Sequence, residues 1–150
     1  MRVLIQRVLR ASVEVSGEKV ASIGGGIVVL LGVSTGDSEE DADWLAKKIA
    51  GLRIFNDDAS VMNLNVSQTG GEILVVSQFT LLASTKKGNR PSYVRAAAEP
   101  VSRPLYEYFT RRIGEFSGCR VDSGIFGADM KVELVNDGPV TIWIDSRSKE

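Results

Sequence analysis

Residues 3–15 are rich in β-branched side chains and half alternate between apolar and polar, the period of a strand with one buried face. A turn at Ser16-Gly17-Glu18-Lys19 leads to a short second strand at residues 20–23. After Gly24-Gly25-Gly26 comes the apolar run 27–33, which reads as a buried strand. Together these predict an N-terminal antiparallel meander with a hairpin turn at the three glycines. At residues 37–50 the period changes, and Ala42, Leu45, Ile49 and Leu52 fall on one helical face. Asp37 with Glu40 three residues on forms a capping-box pattern. Lys47 and Lys48 occupy the last turn and Gly51 stops the helix.

A polar, glycine-containing loop over residues 56–71 precedes the run 72–82, apolar on both faces until Ser77-Gln78 and so predicted as a central strand with a polar end. Lys86-Lys87-Gly88-Asn89-Arg90-Pro91-Ser92 is a basic loop. Ser102 and Pro104 open a second predicted helix, with Leu105, Tyr108, Phe109, Ile113 and Phe116 inward and a stop at Gly118. Strands are predicted at residues 130–135 and 140–144, with Asn136-Asp137-Gly138-Pro139 between them. No repeat, linker or low-complexity tract divides the chain, so residues 1–150 are read as a single α/β domain with two main helices and a mixed, largely antiparallel, barrel-like sheet.

Composition removes whole classes of chemistry. The chain has no histidine, which excludes Ser-His-Asp and Cys-His nucleophile systems and histidine-ligated zinc. Cys119 is alone and cannot form an internal disulfide or a cysteine-rich metal site. The acidic run 37–43 has Ala42 where an EF-hand loop requires glycine, and the three glycines precede a strand rather than a helix, unlike a dinucleotide fingerprint. No metal and no cofactor are expected. The longest apolar run is far short of the roughly 20 residues of a membrane span, and three arginines interrupt the N-terminal decapeptide. A soluble, unexported, cytoplasmic protein with no membrane partner is expected. A formal net charge of −1 argues against a protein that coats nucleic acid.

Two polar segments stand out. Ser77-Gln78-Phe79-Thr80 puts two hydroxyls and an amide at a strand end, either a satisfied polar edge or a site. Gly138-Pro139 lies between strand-like flanks, where proline cannot donate to a ladder. It is either a tight turn or a cis bond aiming successive carbonyls at one donor-rich group. The basic loop is either a solvated turn or a phosphate clamp.

Ser77-Gln78-Phe79-Thr80-Leu81 and Asn136-Asp137-Gly138-Pro139-Val140-Thr141 together resemble the two signature motifs of the D-aminoacyl-tRNA deacylases. The resemblance extends to Gln6-Arg7-Val8, Leu52-Arg53-Ile54-Phe55, Gly88-Asn89-Arg90-Pro91 and Phe126-Gly127-Ala128-Asp129-Met130, with Tyr93 in place of an expected phenylalanine. It implies a homodimer with active sites at the subunit interface and Gly138-Pro139, as a cis bond, reaching across as a chiral filter. It also implies hydrolysis of the ester joining a D-amino acid to the terminal adenosine of tRNA, a form of translation quality control.

Under that resemblance Ser77, Gln78, Phe79 and Thr80 form the catalytic segment. Backbone N–H groups of Phe79 and Thr80 would hold the oxyanion, and Gln78 would help fix the 3′ terminal adenosine. Thr80 acts either as nucleophile or, the preferred reading, through hydrogen bonds while the ribose 2′-hydroxyl assists water. Gly138 and Pro139 would bind the ammonium and exclude L side chains, letting glycyl-tRNA through. Arg7, Phe126, Met130, Asn136 and Thr141 would support the site. For Arg7 the plain alternative is a surface ion pair, and for Phe126 and Met130 it is core packing. Two rival classes remain open: an RNA-binding module using Lys86, Lys87, Arg90 and Arg95, and a β-rich scaffold.

Overall fold

The computed structural model describes residues 1–149. Strand β1 (Arg2–Val15) is the axis of the sheet. Along one edge it pairs antiparallel with β2 (Glu18–Ile23) through Ala11 to Val15, and with β3 (Gly26–Gly32) through Arg2 to Val8. The three glycines are therefore not a hairpin turn. The chain continues along the same edge of β1, and Gly24 and Gly25 are the joint between two collinear strands. Gly26 lies so close to a neighbouring strand that a Cβ there would sit 1.9 Å from the Glu72 carbonyl oxygen. Only a residue without a side chain fits.

Helix α1 (Glu39–Ala50) and the small hairpin of β4 (Phe55–Asn56) and β5 (Met62–Leu64) lead to β6 (Glu72–Ser77), parallel to β3. A 3-10 turn at Phe79–Leu82 and α2 (Glu99–Ser117) lead to β7 (Val121–Ser123), parallel to β6. Each parallel pair needs a long crossover, and each crossover carries one helix. The last strand, β8 (Met130–Asp145), pairs antiparallel with β1 over almost its whole length. The sheet is mixed, largely antiparallel and nearly closed. Its ends meet where the Ser22 N–H donates to the Asp122 carboxylate at 2.9 Å and Arg120 donates to the Ser22 carbonyl at 3.1 Å.

One face of the sheet packs Val3, Ile5, Val29 and Val75 against Leu45, Ile49, Phe109 and Ile113 of the helices. The other encloses Val8, Val13, Val28, Leu74 and Val76. At the helix interface Arg112 pairs with Asp43 at 2.6 Å. Several boundaries differ from the sequence reading. The N-cap of α1 is Ser38, whose N–H donates to the Asp41 carboxylate at 3.0 Å. Asp37 instead pairs with the buried Met1 ammonium at 2.7 Å and with Arg147 at 3.2 Å. Helix α2 opens at Glu99 with Pro100 in its first turn, so Ser102 and Pro104 lie inside it. Tyr106, rather than Tyr108, is buried on its inner face, and Phe116 is exposed.

The Met1 ammonium also donates to the Ser146 hydroxyl at 2.8 Å, and that hydroxyl donates to Asp41 at 2.7 Å, tying the first residue to α1 and to the end of β8. Burial raises the Asp41 pKa, but the Ser146 hydroxyl, the Ser38 N–H and the nearby cations outweigh it and hold the group below the usual value. A carboxylate with a lowered folded pKa adds stability above its unfolded pKa, and that stability is lost as pH falls through the folded value. Asp41→Asn should therefore flatten the decline of stability below about pH 4, measured by urea unfolding across the acid range. An unchanged slope would show that Asp41 is not the group responsible.

Candidate active site

Strand β6 is fully buried from Ile73 to Val76 and surfaces at Ser77. Its last ladder pair is Leu31 with Ser77, and β3 stops one residue later at Gly32, so no partner strand carries the ladder onward. The Gln78 N–H still donates to the Leu31 carbonyl at 2.7 Å. The chain then winds into the 3-10 turn, closed by Leu81 N–H to the Gln78 carbonyl at 3.2 Å and Ala83 N–H to the Thr80 carbonyl at 3.0 Å. The strand expected over residues 72–82 thus ends at Ser77.

The turn has two chemical results. The first two amides of a helical turn lack internal acceptors, and among the described residues neither Phe79 nor Thr80 N–H has a hydrogen-bond acceptor. The Gln78 side-chain amide donates to the Thr80 hydroxyl oxygen. Among the described residues no carboxylate or amine hydrogen-bonds that hydroxyl. The Phe79 ring stands 56% exposed and meets the Tyr93 ring edge-on, with centroids 5.0 Å apart. That aromatic contact is available to the tyrosine found where phenylalanine was expected.

Ser77, Gln78 and Phe79 form one side of a cavity of about 300 Å³. Phe126, Met130 and Val132 form another, and Ser102 and Tyr106 of α2 close its end. Phe126 packs on Tyr106 with centroids 5.6 Å apart and lies under the Arg103 guanidinium at 4.8 Å. The Tyr106 hydroxyl donates to the Val75 carbonyl at 3.0 Å, and burial pushes its pKa up to about 12. It is a fixed neutral wall. The sequence reading missed Tyr106 and Ser102 as lining residues. The spacing 102, 106, 109, 113 puts both on the helical face that also carries Phe109 and Ile113.

The second signature motif occupies a bulge in β8 rather than a turn between two strands. Between the pairs Gln6–Thr141 and Val8–Asn136, β1 advances two residues while β8 advances five. The excess is pushed out of the ladder, as in a large β-bulge. Gly138 and Pro139 stand exposed on it, joined by a cis peptide bond. The Asn136 side-chain amide closes the neck, donating to the Arg7 carbonyl at 2.9 Å and the Val140 carbonyl at 3.0 Å. Thr141 receives the Gln6 amide at 3.4 Å. Gly138 has φ +119, and a Cβ there would lie 2.9 Å from the Val140 side chain and 3.0 Å from the Arg7 guanidinium.

Arg7 is not a surface ion pair. It is 7% exposed, donates to the Ile54 carbonyl at 2.7 Å and to the Asp137 carbonyl at 3.2 Å, and forms an ion pair with the Asp137 carboxylate at 3.0 Å. One chain therefore brings the named residues together in two groups. Ser77, Gln78, Phe79, Phe126 and Met130 surround the cavity, with Thr80 beside it on the same turn. Asn136, Gly138, Pro139 and Thr141 form the bulge with Arg7 of β1 beneath it, and none of them lines that cavity.

Residues 4–145 match the family described as D-Tyr-tRNA(Tyr) deacylase. Proteins named D-aminoacyl-tRNA deacylase from Bacteroides thetaiotaomicron and Chromobacterium violaceum are each 55% identical over 150 residues, covering 100% of both chains. A solved structure described as a c-Myc DNA unwinding element binding protein superposes with a TM-score of 0.90 at 38% identity, over 97% of this chain and 98% of its own. Another, described as a probable eukaryotic D-amino acid tRNA deacylase, does so with 0.82 at 18% identity, over 95% and 97%, and speaks for the fold alone. With both motifs intact and the match running almost from end to end, this chain belongs to the D-Tyr-tRNA(Tyr) deacylase family.

Proposed function

We propose that the chain is a hydrolase that cleaves the ester of D-aminoacyl-tRNA, releasing the free D-amino acid and the tRNA. The observation that carries this is full-length identity of 55% to D-aminoacyl-tRNA deacylases. The two acceptor-free amides at Phe79 and Thr80 give the reading its chemistry. An aminoacyl ester is already activated, so orientation and oxyanion stabilisation supply most of what is needed. Water adds to the ester carbonyl, the Phe79 and Thr80 N–H groups hold the developing oxyanion, and the bond to the 3′-oxygen breaks as that oxygen takes up a proton. The substrate's own 2′-hydroxyl assists the water. Thr80, held by the Gln78 amide, contributes hydrogen bonds and is not the nucleophile.

The enzyme works as a cytoplasmic homodimer in which Gly138-Pro139 of one chain meets the cavity of the other. Support comes from the bulge itself, which is exposed and lies outside the cavity of its own chain. The carbonyls of Gly138 and Pro139 take the substrate ammonium and fill the space an L side chain needs. D-Aminoacyl and glycyl esters fit, and rejection of L-esters is by exclusion. Binding of a DNA element, as in the name of the c-Myc DNA unwinding element binding protein, is disfavoured by the net charge of −1.

The test is deacylation of D-tyrosyl-, L-tyrosyl- and glycyl-tRNA without added metal and with chelator varied. D-tyrosyl- and glycyl-tRNA should be cleaved and L-tyrosyl-tRNA spared. Equal rates for the two tyrosyl esters would refute exclusion. Thr80→Ala should retain turnover, and trapping of an acyl-enzyme on Thr80 in the parent would overturn the water mechanism.

A further inference from the structure

The basic loop after the 3-10 turn plays no part in the chemistry above, yet the fold fixes it beside the site. Ser84 and Ser92 exchange backbone hydrogen bonds at 2.8 and 2.9 Å, pinning its base. Arg95 donates to the Ala83 carbonyl at 3.4 Å, and Tyr93 packs on Phe79. Residues 85–91 are thereby carried on the rim next to the exposed Phe79 ring. Between Glu72 and Glu99 the chain carries Lys86, Lys87, Arg90 and Arg95 and no carboxylate, although the whole chain has 18 cations and 19 carboxylates. Most arginines elsewhere are paired, whereas among the described residues Lys86, Lys87 and Arg90 are exposed and form no ion pair. An unneutralised block of one sign in an otherwise balanced chain calls for an anionic partner.

From this we infer that Lys86, Lys87 and Arg90 form a clamp for the backbone phosphates of the single-stranded tRNA 3′ end as it leaves the cavity. This rests on reading the cavity as the site for the terminal aminoacyl-adenosine. A strand whose last nucleoside occupies the cavity passes Phe79 as it exits, which brings its adjoining phosphates to this rim. Lysines serve as point charges there, and an arginine offers a fork to two phosphate oxygens. Such contacts strengthen binding without reading sequence.

The experiment compares D-tyrosyl-tRNA with 3′-O-(D-tyrosyl)adenosine, which keeps the reacting ester and adenosine but has no phosphate. The triple variant Lys86→Gln, Lys87→Gln, Arg90→Gln is assayed on both across a range of salt. With tRNA, kcat/KM should fall about tenfold or more, through KM, and the slope of log kcat/KM against log salt should flatten by about 2, as expected for three lost single-strand phosphate contacts. With the adenosine ester, kcat/KM should stay at the parent value. An unchanged tRNA rate and salt slope would overturn the clamp, as would an equal fall on both substrates, which would make the loop part of the catalytic wall. If the parent enzyme cleaves neither substrate, the deacylase reading itself is refuted and the clamp with it.

Discussion

Phe79→Pro is expected to turn over a D-aminoacyl ester about 10²–10³-fold more slowly than Phe79→Leu, the range for loss of one oxyanion donor. Both variants lose the exposed ring, so whatever the ring contributes cancels in the comparison. Only proline also removes the backbone N–H. Position 79 is the first residue of the turn, where proline is tolerated because its amide has no internal acceptor. The difference should appear in kcat at saturating substrate, with circular dichroism and melting temperature confirming that both fold. Equal kcat values for the two would remove Phe79 N–H from the oxyanion site.

Arg7→Met should cost about 3–5 kcal/mol, the range for breaking one side of a buried charge pair. For a chain of this length that is a fall in Tm of about 6–20 °C. Methionine replaces the stem and none of the donors, leaving the Ile54 carbonyl without its 2.7 Å partner and Asp137 without its cation. Asp137 is part-exposed and can recover water, which places the loss towards the lower end. The bulge also loses the side chain that holds it from below. L-tyrosyl-tRNA, which the proposed exclusion spares in the parent, should therefore become a measurable substrate while D-tyrosyl-tRNA is still cleaved. A Tm within 2 °C of the parent would contradict the assigned burial, and unchanged discrimination would separate Arg7 from selectivity.

Much of this architecture could be read from the residues. The alternation of β1, the apolar β3 and β6 and the period of α1 all reflect burial on one or two faces, which sequence records directly. What misled was local chemistry overruled at a distance. Glycines 24 to 26 carry the composition of a hairpin, but what requires Gly26 is the Glu72 backbone, far away in sequence. Gly138 and Pro139 looked like a break between strands because proline cannot join a ladder. Pairing with β1 on both sides of them keeps β8 continuous and expels the extra residues as a bulge. Asp37 was assigned to helix capping because its true partner, the Met1 ammonium, comes from the other end of the three-strand segment β1–β3. Both signature segments were legible as motifs. Their separation into a cavity group and a bulge group was not, because it depends on where β8 runs relative to β6.

Because β1 is bonded along both edges, by β2 and β3 on one side and β8 on the other, its whole backbone is released to solvent only when both sets of pairings open. Arg7 sits within this strand, and the bulge it supports is anchored to the strand on both flanks. The Gly138-Pro139 segment is thus held on both flanks to a strand that is itself bonded along both edges. The surface loop at residues 85–91 is held at its base by one pair of backbone hydrogen bonds. The two segments proposed to meet the tRNA end and the substrate's stereocentre therefore differ sharply in how the backbone restrains them.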